Sequence, residues 1–114
     1  GPEREKAFDM VRQFYVLVDN HFKEKKMVQD YADMLHRSPK TLSNLFTTCG
    51  LPSPLRIIHE RIEAEAKRLL LYSQKSAKEI TEILGFEDQA TFSRFFKKMT
   101  GESVSEYRKR EKQE

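Results

Sequence analysis

Two stretches of this chain align without a gap: SPKTLSNLF, from Ser38 to Phe46, and DQATFSRFF, from Asp88 to Phe96. Leu42 meets Phe92, Leu45 meets Phe95 and Phe46 meets Phe96, while Thr41 and Ser43 meet Thr91 and Ser93 unchanged. At the same offset Pro54 and Ile57 meet Val104 and Tyr107. A chain that carries one supersecondary unit twice is confined to architectures built from that unit. Two copies are too few for a solenoid. They fit a pair of tandem heads.

Each copy reads as a short helix, a turn and a second helix. In the later copy Ser76 and Glu79 form a capping box, and Ile80, Ile83 and Leu84 supply the inner face of a short helix. Gly85-Phe86 makes the corner, and Asp88 caps the helix that follows, from Gln89 to about Met99. There Phe92, Phe95 and Phe96 are spaced to pack inward. In the earlier copy Met27 to Leu35 is the short helix, with Tyr31, Ala32 and Leu35 inward and small Ala32 suited to a close helix crossing. Ser38-Pro39 opens the next, since serine accepts free amide hydrogens and proline suits the first helical position. Two short helices joined by a tight turn, with amide, hydroxyl and guanidinium groups on the second, point to a helix-turn-helix that reads DNA.

The stretch Ile80 to Arg108 resembles the second helix-turn-helix of AraC/XylS-type transcription regulators. That family's pattern of Ile, Gly-Phe, two spaced Phe, Lys, Gly and Tyr-Arg is met by Ile80, Gly85, Phe86, Phe92, Phe96, Lys97, Gly101, Tyr107 and Arg108. Thr81 stands where the family usually has alanine, and Val104 where it usually has proline. The resemblance implies an all-α fold with two helix-turn-helix subdomains joined by a long linker helix, and sequence-specific binding of double-stranded promoter DNA. It also implies an N-terminal sensing or dimerisation domain in the full-length protein and RNA polymerase as a further partner. No cofactor or metal is implied.

Between the copies, Pro54 to about Tyr72 is expected to form one helix, with Leu55, Ile58, Ile62, Ala66 and Leu69 along one side. At 1.5 Å per residue it spans roughly 25–30 Å, and successive major grooves on one face of B-DNA lie roughly 34 Å apart. Before the first copy, Glu3 to Lys25 is helical by its pattern of Phe8, Val11, Phe14 or Tyr15, Val18 and Phe22. The expected organisation is a cleavage scar at 1–2, a first helix-turn-helix with linker at 3–73, a second at 74–110, and a fraying polar tail at 111–114.

Major-groove readout needs paired donors and acceptors: arginine for guanine, glutamine or asparagine for adenine, small methyls for thymine. By position in the family, the base-reading residues would be Lys40, Thr41, Ser43 and Asn44 on the first recognition helix. On the second they would be Gln89, Ala90, Thr91, Ser93 and Arg94. Phosphates would fall to Thr47, Lys97, Lys98 and Arg108. Thr47-Thr48 stands where the family often has a lysine pair, so the first head should hold phosphates less tightly.

A net charge of +3 over 114 residues is mild. Its distribution is more telling: Arg94, Lys97, Lys98, Arg108, Lys109 and Arg110 crowd the last stretch, opposed there by Glu102, Glu106 and Glu111, and on charge alone a solvated helix face fits as well as a phosphate-binding patch. The single cysteine, Cys49, excludes an internal disulfide and a multi-cysteine zinc site, and fits a reducing compartment. No apolar run approaches the roughly 20 residues of a membrane helix, so the expected place is the bacterial cytoplasm at the nucleoid, with no membrane contact. His21, His36 and His59 are scattered, and no nucleophile sits beside a base, which argues against an enzyme. The rival is a helix-turn-helix used mainly for protein–protein contact. It would tolerate acidic or apolar residues on the outer recognition face, and this face has few of either.

Overall fold

The computed structural model describes residues 1–112, and among them no strand occurs. The helices are α1 (Pro2–His21), α2 (Val28–Met34), α3 (Pro39–Thr48), α4 (Pro54–Tyr72), α5 (Ala77–Ile83), α6 (Gln89–Thr100) and α7 (Val104–Lys112). They fall into two compact units, Gly1–Arg61 and Ile62–Glu114, with the division inside α4. Glu111 and Lys112 complete the last turn of α7, whereas 113 and 114, the rest of the tail expected to fray, lie outside the described residues.

In the first unit α1 begins with Pro2 and the acidic Glu3 and Glu5, which suit the positive end of a helix. It buries Val11, Phe14 and Val18, and its C-cap Phe22 continues the stripe of three- and four-residue steps, whereas Phe8, expected in the same stripe, is exposed. Phe14 rather than Tyr15 is the core aromatic: it is fully buried, while Tyr15 is 40% exposed. Phe14 meets Tyr31 of α2 at 5.5 Å and Phe46 of α3 at 4.9 Å between ring centroids. Each such side chain withdrawn from water contributes about 1.5–3 kcal/mol. Ala32 is fully buried on the inner face of α2. Tyr31 donates its hydroxyl to the Lys25 carbonyl at 2.7 Å. Burial, with Asp30 and Glu24 nearby, pushes its pKa up to about 12. Arg61 covers the Phe22 ring at 4.2 Å and donates to Asp19 at 2.8 Å.

The second unit is built on the same plan. Ile80, Leu84, Phe92, Phe96 and Leu70 are buried, with Val104 and Tyr107 of α7. Phe86 packs 5.4 Å from both Phe92 and Phe95, and Phe96 meets Tyr107 edge-on at 5.4 Å. Thr81 is buried, and its hydroxyl donates to the Ala77 carbonyl at 2.7 Å, so the polar atom is satisfied inside α5.

The repeat extends to the packing: Pro54 and Ile57, like Val104 and Tyr107, are buried. That displaces the expected stripe of α4 by one position at its start. Leu55 is 43% exposed, because Ile57 and Ile58 carry the inner face instead.

Candidate nucleic-acid interface

The short helices before α3 and α6 end in the same way. In the first unit Leu35 donates to the Tyr31 carbonyl, His36 to Asp33 and Arg37 to Ala32. In the second, Leu84 donates to Ile80, Gly85 to Glu82 and Phe86 to Thr81. These are matching helix ends closed by a left-handed residue. That residue is His36 (φ 56°) in one unit and Gly85 (φ 77°) in the other. The chain then starts α3 directly at Ser38, but adds Glu87 before reaching Asp88 at the start of α6. The second turn is longer than the first by that one residue.

The helix starts are held by side chains. Ser38 accepts from the Thr41 amide at 3.1 Å, and Asp88 from the Thr91 amide at 2.7 Å. The Thr91 amide keeps the Asp88 carboxyl below its ordinary range. Ser76 and Glu79 form the expected capping box at α5, with bonds of 2.9 and 3.1 Å. Ser103 and Glu106 form another at α7. Each such cap satisfies an amide that the first helical turn leaves without a partner.

With their inner faces buried, α3 and α6 turn the expected base readers outward. Lys40, Thr41, Ser43 and Asn44 are exposed, as are Gln89, Ala90 and Arg94, while Thr91 and Ser93 are half-buried. Along α6 a chain of weak hydrogen bonds forms: Arg94 donates to Thr91 Oγ1 at 3.3 Å, and Thr91 donates to Glu87 at 3.4 Å. Arg94 makes no ion pair among the described residues. Glu102, which could have neutralised it, instead accepts two bonds from Arg110 at 2.8 and 2.9 Å. The guanidinium is therefore available for a two-point contact.

The expected phosphate contacts divide. Lys97 and Lys98 are exposed in the last turns of α6 and carry no ion pair among the described residues. Thr47 is exposed too, but its hydroxyl donates to the Ser43 carbonyl at 2.9 Å, and Thr48 likewise donates to Asn44 at 2.9 Å. Arg108 departs from the expectation. It is half-buried, and its Nε and one terminal nitrogen donate to the carbonyls of Leu70 and Ser73 at 3.1 and 3.2 Å. Its guanidinium closes the end of α4 instead of facing outward.

Glu87, in the turn before α6, ends the chain of bonds from Arg94 through Thr91. Sequence reasoning missed two features. The unequal turn lengths show in the sequence once the short helices, rather than α3 and α6, are aligned. Burial of Arg108 had no signal, because an arginine on a short charged helix reads as exposed by default.

Among the described residues no group of His, Cys, Asp or Glu is placed to hold a metal ion, and no helix is long and apolar enough to cross a membrane. Residues 31–110 match the family described as a helix-turn-helix domain. The arabinose operon regulatory protein of Salmonella typhimurium is 36% identical over 92 residues, covering 81% of this chain and 31% of that protein. The raffinose operon transcriptional regulatory protein RafR of Pediococcus pentosaceus is 34% identical over 82 residues, covering 72% of this chain and 30% of that one. Among solved structures, the C-terminal domain of AraT, a response regulator from Geobacillus stearothermophilus, superposes with a TM-score of 0.78 at 29% identity. That match covers 88% of this chain and 84% of the other. The chain belongs to the AraC-type helix-turn-helix family of DNA-binding transcription regulators. It spans about a third of the length of the curated relatives it matches.

Proposed function

We propose that this chain binds specific double-stranded promoter DNA through α3 and α6, each entering a major groove, and that it thereby regulates transcription. The observation that carries this reading is the outer face of α6. It presents Gln89, Ala90, Thr91, Ser93 and Arg94 on a helix whose opposite face is locked by buried Phe92 and Phe96. Arg94 has the fork that reads guanine and makes no ion pair among the described residues. Lys40, Thr41, Ser43 and Asn44 form the corresponding set on α3. Lys97 and Lys98 hold phosphates, and Thr47 does so once its hydroxyl turns from the Ser43 carbonyl.

The heads are unequal. Where α6 carries Lys97 and Lys98 in its last turn, the matching positions of α3 are two threonines whose hydroxyls are directed at their own helix. The second head is therefore the tighter one. An attached sensing or dimerisation domain and RNA polymerase are proposed partners of the longer protein.

The test is to bind selected duplexes with Arg94→Ala and Asn44→Ala. Losing a two-point base contact costs about 1–3 kcal/mol and relaxes preference at one position. Arg94→Ala should show the larger loss, with relaxation confined to one block of the site. Equal or greater loss from Asn44→Ala would contradict the ranking of the heads. An unchanged base preference in both variants would contradict the readout itself.

A further inference from the structure

We infer that Arg108 is a positioning residue for the second recognition helix and not a phosphate contact. This rests on the DNA reading proposed for α6. The last turn of α4, Leu69 to Tyr72, contains no basic residue of its own. The Leu69 carbonyl accepts from the amide and hydroxyl of Ser73, while two further carbonyls, of Leu70 and of Ser73 just past the helix, are answered from α7. Arg108 donates to Leu70 and Ser73 at 3.1 and 3.2 Å, and Lys112 adds a longer bond to Ser73 at 3.4 Å. A helix C-terminus concentrates partial negative charge and unsatisfied acceptors, so a half-buried planar cation with parallel donors fits it closely.

The same short helix is fixed to α6. Tyr107, next to Arg108, meets Phe96 edge-on at 5.4 Å. Glu102, in the turn between α6 and α7, accepts two bonds from Arg110. Lys67 of α4 lies over the Tyr107 ring at 5.7 Å. α7 is thus a brace: it holds the end of α4 through Arg108 and the inner face of α6 through Tyr107. The angle at which α6 presents Gln89 to Arg94 depends on that brace.

Lysine separates the two roles. A phosphate contact needs a positive charge, which Lys retains. A two-carbonyl clamp needs donors in a fixed fork, which Lys lacks. The experiment compares Arg108→Lys, Arg108→Ala and Lys97→Ala with the unaltered chain on one selected duplex over a range of salt concentrations. Thermal unfolding of each variant is followed, as are the ring-shifted NMR signals of the Phe96–Tyr107 pair in the free chain.

Both Arg108 variants should weaken binding about 5–10-fold, as expected when a preorganised reader is loosened, at temperatures where they remain folded. The Phe96 and Tyr107 signals should move, while the salt slope stays that of the unaltered chain. Lys97→Ala should lower the slope by about one. Full affinity in Arg108→Lys, or a slope reduced as in Lys97→Ala, would overturn the proposal in favour of a phosphate contact. A lower melting temperature with full affinity would overturn it in favour of a purely structural role. If the unaltered chain selects no duplex, the DNA reading fails separately. The ring signals then decide the brace alone: shifted signals support it, and unmoved signals overturn it.

Discussion

His36 occupies a left-handed backbone position, φ 56°, where the equivalent turn of the second unit has Gly85. For an L side chain that conformation costs about 1–2 kcal/mol. Glycine removes the clash, but its freer unfolded chain returns about 0.4–1 kcal/mol of that. His36→Gly should therefore stabilise the first unit by roughly 0.5–1 kcal/mol, read as a higher midpoint in urea unfolding. A lower midpoint would mean that the imidazole makes a compensating contact. Arg108 makes the complementary point. Its neighbours in sequence are charged and polar, yet it lies half-buried against two carbonyls. Side-chain type predicts exposure well for Lys97 and Arg94 but not for Arg108, because only tertiary structure brings the end of α4 within its reach.

At the scale of the element, helix starts in the second unit depend on ionised carboxylates. Hydrogen bonds from the Ser76, Thr91 and Ser103 amides lower Glu79, Asp88 and Glu106 respectively, and the Arg110 guanidinium lowers Glu102. Groups lowered on folding stabilise the native state above the ordinary carboxylate range, and that contribution is lost as pH falls through their folded values. Thermal unfolding followed by circular dichroism should thus show a falling midpoint below about pH 4. Asp88→Asn, which still caps but does not titrate, should lose less of its midpoint over that interval than the unaltered chain. An equal fall in both would assign the acid sensitivity elsewhere. These elements were legible in advance because caps and turns are local: Ser38-Pro39, Ser76 with Glu79, and Asp88 all stand where the helices begin. The inner face of α4 was less so. Leu55 and Ile57 are both apolar, and only the neighbours they meet decide that Ile57 is buried.

For the whole molecule, the repeat was the most informative feature. It foretold two similar units, and the matched burial of Pro54, Ile57, Val104 and Tyr107 extends it beyond α3 and α6. The outward faces of α3 and α6 were legible for the same reason, since a buried stripe of Leu42 and Phe46, or Phe92 and Phe96, leaves only one face for everything else. The one-residue difference between the two turns was not, because a gapless alignment of the recognition helices conceals an insertion placed just before them. Whether both faces read sequence is decided by selecting bound sites from a random DNA pool at two salt concentrations. Two enriched blocks about one helical turn apart are expected, with affinity falling steeply as salt rises. Salt-sensitive binding without any enriched motif would contradict that readout, leaving a basic module that grips DNA without reading it.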